Sequence, residues 1–80
     1  MSYMFEVYYK SPIDLKKEEE ITGAVASLGG SLDCRETLIE TGTDAVCLTY
    51  EFDEMELAQK AADLLRQRGD HVEGPVDYGN

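Results

Sequence analysis

The chain has 80 residues, 42% hydrophobic and 30% charged, and its 17 acidic and 7 basic residues give a formal net charge of −10. This length predicts a single domain, and the composition is typical of a folded protein rather than a disordered one. Because the few basic residues are scattered and the chain is strongly acidic, a polyanion would be repelled, and we expect no nucleic-acid partner.

The cysteines and the apolar segments exclude further classes of protein. Cys34 and Cys47 form no CxxC pair and fit no metal-ligand spacing, so we expect no metal and no cofactor. The first residues alternate in polarity and include Glu6, unlike a secretory signal. No apolar run approaches the roughly 20 residues that cross a bilayer. We therefore expect a cytoplasmic protein with reduced thiols and no membrane partner.

A strand is predicted over residues 3–10. The segment YMFEVYYK alternates and is rich in aromatic residues, a pattern typical of strands. Its more apolar face carries Tyr3, Phe5, Val7 and Tyr9. Its other face carries Met4, Glu6, Tyr8 and Lys10. We expect the first of these faces to contact the core.

A helix is predicted next, within the segment SPIDLKKEEEITGAVASLGG. Two starts are open: Ser11 caps the helix with a proline at the first helical position, or Asp14 caps a later start. Apolar residues at helical spacing form one stripe, made of Ile21, Ala24, Val25 and Leu28. Gly23 lies within the helix, and we interpret it as a point of close packing against the sheet. The glycine pair at 29–30 ends the helix.

Residues 31–40, SLDCRETLIE, predict a weaker strand. Under strict alternation, the face toward the helices carries Leu32, Cys34, Glu36 and Leu38. The other face then carries Asp33, Arg35 and Thr37. An acid among the inward positions favours an edge strand, where a long side chain can reach water.

The TGT loop at 41–43 leads into the clearest strand, AVCLTYEF at 45–52. Its predicted core face carries Val46, Leu48, Tyr50 and Phe52. A three-residue loop keeps the faces of the two strands in phase. Cys34 and Cys47 then lie on opposite faces of the sheet, whereas a four-residue loop would place them on the same face. We expect the shorter loop and no disulfide between them.

A second helix is predicted from Asp53, which has Glu56 three residues later in a capping-box arrangement. Its predicted buried stripe is Leu57, Ala61, Leu64 and Leu65. Gly69 ends it, and a fourth strand begins at His71. Proline cannot donate a ladder hydrogen bond, so we expect pairing to stop at Gly74-Pro75. Residues 75–80 are therefore predicted to be a short C-terminal tail.

The element order β-α-β-β-α-β predicts an α+β fold. With right-handed crossovers, the usual arrangement is a four-stranded antiparallel sheet in the order 4-1-3-2, with both helices on one face. This order places the first and third strands, the two most apolar, in the centre. We therefore predict a single ferredoxin-like domain over residues 1–80, of the alpha-beta plait type.

The uncovered face of this sheet is the predicted interaction surface. Its candidate residues come from all four strands and are Met4, Glu6, Tyr8, Lys10, Arg35, Thr49, Glu51, His71 and Glu73. A second copy of the chain is one way to cover this face. His71 with Glu73 and Glu6 resembles a weak divalent-ion site, but a solvent-exposed edge histidine is the simpler interpretation. Cys47 is interpreted as inert, because nearby acids do not lower the pKa of a thiol.

The βαββαβ order resembles several families, which particular residues separate. RNA-recognition motifs stack bases on aromatic residues of the central strands, where Tyr8 stands alone here. Metal-transport domains carry CxxC in the first loop, and acylphosphatases carry an arginine there; the loop YKSPIDL has neither. ACT-type regulatory domains are similar in order and length, although SPIDL lacks the glycine-containing turn of their amino-acid site. The glycine-ended second helix and its Tyr/Gly-rich tail are similar to part of the acidic ribonuclease-inhibitor family regulator of ribonuclease activity B.

Composition and candidate residues together predict a small acidic domain that is not an enzyme and binds protein, either a partner or itself as a homodimer. Acidity of this kind more often serves solubility alone, and the sharper interpretation is a docking surface for a basic protein or the steering of a cationic ligand. The alternative is an ACT-like regulatory domain that senses a small molecule in a groove at a dimer interface. A third hypothesis is an enzyme of the dimeric α/β-barrel kind that uses His71 and Glu73.

Overall fold

The computed structural model describes residues 2–40 and 43–78. Its elements follow the predicted order and are β1 (Tyr3–Lys10), α1 (Leu15–Ser27), β2 (Ser31–Glu40), β3 (Thr43–Phe52), α2 (Met55–Gln67) and β4 (His71–Asp77). Residues 41 and 42 of the predicted TGT loop lie outside the described residues. Among the residues described, no helix is long and apolar enough to cross a membrane.

The strands form one sheet in the order β2-β3-β1-β4, and every neighbouring pair is antiparallel. This is the predicted order 4-1-3-2 counted from the opposite edge. The central pair, β1 and β3, aligns Phe5 with Tyr50 and Val7 with Leu48. The ferredoxin-like fold is therefore confirmed.

The core lies between one face of the sheet and the two helices. The predicted apolar faces of β1 and β3 supply its three largest fully buried side chains, Phe5, Tyr50 and Phe52, and also Val7 and Leu48. α1 contributes Ile21 and Val25, as its apolar stripe predicts. The buried face of α2 is rotated from the predicted stripe and consists of Ala58, Ala61, Ala62 and Leu65. Small alanines let α2 lie close to the sheet, while Leu64 stays exposed.

Capping groups decide where the helices begin. α1 begins after Asp14, whose carboxylate accepts a hydrogen bond from the backbone N–H of Lys17 at 3.0 Å. The later of the two predicted starts is therefore correct. α2 follows Glu54 with no side-chain cap bond, so the capping box predicted from Asp53 does not form. The interpretation of Gly23 was also wrong, because a Cβ there would meet nothing within 4 Å.

β2 contains an irregularity that alternation could not reveal. Leu32 lies opposite Tyr50 of β3, yet Cys34 lies opposite Thr49, so the register shifts by one residue between them. The extra residue of such a bulge leaves the side chains after it on the opposite face from the one strict alternation predicts. The predicted faces of β2 are therefore reversed from Cys34 onward.

This reversal changes which β2 side chains lie on each face. Arg35 lies opposite the buried Leu48 and therefore on the helix side of the sheet. Cys34 and Glu36 lie on the open face, opposite Thr49 and Cys47. The two cysteines thus share a face, contrary to the prediction, and both are free thiols.

β4 runs farther than predicted. A bulge forms beside Gly74, whose φ is +108°, and pairing with β1 resumes with Val76 opposite Met4 and Asp77 opposite Tyr3. The backbone N–H of Tyr78 also donates to the carbonyl of Ser2 at 2.7 Å. The prediction that pairing stops at Gly74-Pro75 was wrong, because the bulge absorbs the proline instead of ending the strand.

Candidate functional site

The face of the sheet opposite the helices brings together eight of the nine predicted residues. β1 places Met4, Glu6, Tyr8 and Lys10 on it, and β3 places Thr49 and Glu51 beside them. β4 adds His71 opposite Tyr8 and Glu73 opposite Glu6. None of the helices covers these side chains, since both pack on the other face. We call this surface the open face.

At the centre of the open face, the side chains of Glu6, Tyr8 and Cys47 form a small cluster. The Cys47 thiol donates to a Glu6 carboxylate oxygen at 3.5 Å, and Tyr8 lies directly opposite Cys47. Burial, reinforced by Cys47 and Glu6, raises the pKa of the Tyr8 hydroxyl far above its usual value. Burial also raises the pKa of the Cys47 thiol, and the Glu6 charge adds to this. Both groups stay protonated at neutral pH, so the cluster holds no thiolate nucleophile.

His71 and Glu73 form a pair at the β4 edge of the open face. The His71 Nε2 atom lies 3.1 Å from a Glu73 oxygen, and the two side chains are 66% and 60% exposed. The His71 ring also tilts against Tyr8 with 5.9 Å between ring centres. Within the described residues, no three His, Cys, Asp or Glu side chains come together as metal ligands. An exposed pair in contact with water lacks the enclosure that general acid–base catalysis needs.

The carboxylates dominate the charge of the open face. Glu6 and Glu51 lie at its centre, Glu73 lies on β4, and Glu36 lies on β2. The cationic groups on this face are Lys10 and, when protonated, His71. Sequence reasoning missed Glu36, because only the bulge in β2 turns it to this side. The open face is therefore more acidic than predicted.

Arg35, the ninth predicted residue, belongs to a different cluster beneath α1. Its guanidinium binds the Glu18 carboxylate through two contacts, Nε at 2.6 Å and Nη2 at 3.0 Å. Glu18 is buried and also accepts a hydrogen bond from the Tyr9 hydroxyl. The Arg35 hydrogen bonds, opposed by burial and helped by Tyr9, hold the pKa of Glu18 below its usual value. Arg35 therefore joins β2 to α1 and does not contribute to the open face.

The βαββαβ order, with a four-stranded antiparallel sheet and two helices on one face, defines a ferredoxin-like domain. No protein-family model matches the sequence, and no curated protein sequence is similar to it. The chain is similar in structure to the de novo designed protein Foldit4, with a TM-score of 0.62 and 17% identity over 91% of this chain and 92% of that one.

Natural proteins with a similar structure include an ACT domain and part of a larger enzyme. The ACT domain from the GTP pyrophosphokinase of Chlorobium tepidum matches with a TM-score of 0.57 and 15% identity, over 91% of this chain and 95% of that one. The prephenate dehydratase of Staphylococcus aureus matches with a TM-score of 0.61 and 15% identity, over 90% of this chain but only 28% of the enzyme. Identities this low show a shared fold only.

Proposed function

We propose that this chain is a non-enzymatic protein-interaction domain that docks a basic partner on its open face. The observation that carries the proposal is the charge of that face, where Glu6, Glu36, Glu51 and Glu73 outnumber Lys10. An uncovered acidic sheet attracts a cationic surface and guides its approach. The apolar side chains of Met4 and Tyr8 lie among these acids and supply contact area.

The chemistry of the open face supports binding rather than catalysis. Its two thiols and its tyrosine are protonated at neutral pH, and its histidine is largely exposed. A basic protein requires none of these groups to ionise, only fixed carboxylates that it can neutralise. We further propose a cytoplasmic location. We also propose that the chain has no nucleic-acid or membrane partner, because its net charge of −10 is repelled by both kinds of polyanionic surface.

Charge removal on the open face tests the proposal. We expect the double variant Glu51→Gln, Glu73→Gln to bind a fluorescent lysine-rich peptide about fivefold to tenfold more weakly, because exposed ion pairs contribute about 0.2–1 kcal/mol each. Fluorescence anisotropy at low salt measures the affinity, and added salt should weaken binding by the wild type.

The matched control for this test is Glu19→Gln, Glu54→Gln, which removes the same charge from exposed positions outside the sheet. It should bind the peptide with nearly the affinity of the wild type. Equal losses in the two double variants would show that only net charge matters, and the open face would then not be the docking surface.

A second candidate function is small-molecule sensing, favoured by a specific cavity. A space of about 190 Å³ lies between the loop after β1 and the start of β3, lined in part by Ser11, Ile13, Leu38 and Asp44. This volume suits a ligand the size of an amino acid. Among proteins of similar structure is the regulatory subunit of the aspartate kinase from Thermus thermophilus, with a TM-score of 0.57 and 15% identity over 90% of this chain and 48% of that one.

A thermal-shift screen of the common amino acids tests this second function. A ligand at 100 times its Kd adds about 2.7 kcal/mol of stability, which for a domain of this size raises Tm by roughly 10 °C or more. The variant Ala45→Leu narrows the same cavity and should abolish the shift. If no amino acid raises Tm, or if the variant responds as the wild type does, the sensing function is wrong.

A further inference from the structure

One edge of the sheet is closed by the chain itself. Arg66 of α2 donates from Nη2 to the carbonyls of Val72 at 3.1 Å and Gly74 at 2.7 Å, both on the edge strand β4. The bulge beside Gly74 and the missing N–H of Pro75 interrupt this edge further. Bulges, prolines and covered backbone groups are the devices by which proteins stop another strand from pairing with an edge.

Among the residues described, the opposite edge has one such device, the bulge between Leu32 and Cys34, and none after it. β2 is ten residues long, pairs with β3 alone, and carries no proline. No hydrogen bond from a side chain on another described element reaches its backbone, in contrast to the Arg66 contacts on β4. The regularly paired segment from Cys34 onward is therefore a template for a further strand.

Apolar side chains are exposed at the same edge. Leu38 of β2 is 36% exposed, and Ile13, in the loop before α1, is 55% exposed. These two residues line the same cavity as Thr37, which places them at one corner of the domain. Leu15, at the start of α1, is 66% exposed and follows Ile13 closely along the chain. Backbone groups and apolar surface are thus available together at this corner.

We propose that β2 pairs antiparallel with β2 of a second copy of this chain, about a two-fold axis near Thr37. A two-fold axis requires a self-complementary surface, and antiparallel pairing of one strand with itself provides it. This register places Thr37 opposite Thr37 and Glu36 opposite Leu38 of the copy. Arg35 and Glu36 then lie opposite the uncharged positions 39 and 38 of the partner strand, and Cys34 lies opposite position 40, so like charges are not directly opposite each other at these positions.

The same axis places the α1 ends of both copies on one side of the joined sheet. Ile13 and Leu15 of one copy then lie close to Ile13 and Leu15 of the other copy at the two-fold axis. Contact between the two copies removes these side chains from water. An 80-residue chain buries a smaller fraction of its surface than a larger domain, so this added burial is a substantial gain. The product is an eight-stranded sheet with one continuous open face. This inference does not rest on the proposed function.

The effect of salt on binding distinguishes self-association from docking of a basic partner. Each copy carries a net charge of −10, so two copies repel each other and added salt should strengthen the dimer. Docking of a basic partner should instead weaken with salt. Sedimentation of the full chain over a wide concentration range, without any partner, is expected to show a monomer–dimer equilibrium that shifts toward the dimer as salt is added. A monomer at every concentration and salt level would overturn the proposal.

Two variants locate the interface. Leu38→Glu places an unpaired carboxylate beside the axis and should raise the dimer Kd by about tenfold or more. Val76→Glu adds the same charge at a residue that is 50% exposed and lies beside the closed edge, and it should leave the Kd near that of the wild type. Circular dichroism confirms that both variants fold. A larger effect from Val76→Glu than from Leu38→Glu would overturn the proposal.

Hydrogen exchange on the wild type gives a test that depends on no variant. Backbone amides of residues 31–38 that point away from β3 should exchange fast in dilute samples and slowly in concentrated ones. Amides of β4 should show no such dependence on concentration. Protection that appears on β4 instead of β2 would contradict the assignment of the interface.

Discussion

Replacing Gly30 with alanine is expected to lower the free energy of unfolding by about 1–3 kcal/mol, the usual cost of overpacking a core. A Cβ at this position would lie 2.4 Å from Cζ of Phe52 and 2.5 Å from Cγ1 of Val25. Both neighbours are almost completely buried and cannot move into solvent. The turn between α1 and β2 would have to shift away from the core, or the two side chains would have to repack.

Gly23→Ala is the matched control, because it adds the same methyl group to a nearby glycine. Gly23 lies inside α1 with nothing within 4 Å of the new Cβ. Alanine is favoured over glycine in a helix by about 0.8–1 kcal/mol, so this variant should be more stable than the wild type. Urea unfolding measures both changes as shifts of the midpoint at a constant slope. A stabilised Gly30→Ala would contradict the packing around Phe52.

Glu18→Gln is expected to lower the free energy of unfolding by about 1–2 kcal/mol at neutral pH. The glutamine keeps the shape of the side chain, but its amide nitrogen cannot accept a hydrogen bond, so only one of the two hydrogen bonds from Arg35 can remain, and that one is to a neutral oxygen. Hydrogen bonds to charged groups contribute about 1.5–3 kcal/mol, against about 1 kcal/mol for neutral ones. The buried Tyr9 hydroxyl keeps an acceptor in the variant, which limits the loss.

The pH dependence of this difference follows from the lowered pKa of Glu18 in the folded protein. A carboxyl group with a depressed native pKa stabilises the fold above its unfolded pKa of about 4.3, and the stabilisation is lost as pH falls through the native value. The wild type and Glu18→Gln should therefore converge in stability in acid. Glu19→Gln, an exposed neighbour, should stay close to the wild type at every pH. A gap between the wild type and Glu18→Gln that persists below the native pKa would mean that the charge of Glu18 is not its source.

The course of β2 shows where sequence reasoning reaches its limit. Alternation correctly predicts the strand at 31–40, but the register shift after Leu32 reverses the faces of the residues that follow. The face of the sheet on which each of these residues lies depends on contacts with residues distant in sequence. Arg35 faces the helices, where its guanidinium binds the Glu18 carboxylate of α1. Because successive residues of a strand alternate between faces, Glu36 then faces outward. No local pattern in SLDCRETLIE carries that information.

The pairing of β4 beyond Gly74-Pro75 also depends on tertiary structure. Gly74-Pro75 was interpreted as the end of pairing, since proline cannot donate a ladder hydrogen bond. In the structure the glycine takes a positive φ, a bulge forms, and β4 pairs with β1 through Asp77. Arg66 of α2 then binds the carbonyls of Val72 and Gly74. The closed edge is thus a tertiary feature, although the proline is visible in the sequence.

The sequence by itself determined the element order, the ferredoxin-like fold and the core faces of β1 and β3, because side-chain periodicity and helix-ending glycines act locally. It also determined the acidity of the molecule and eight of the nine residues proposed for the open face. Only the tertiary structure decided the position of Arg35, the outward turn of Glu36, and which sheet edge is closed. These depend on bulges and on side-chain contacts between different elements, and such contacts exist only once the chain has folded.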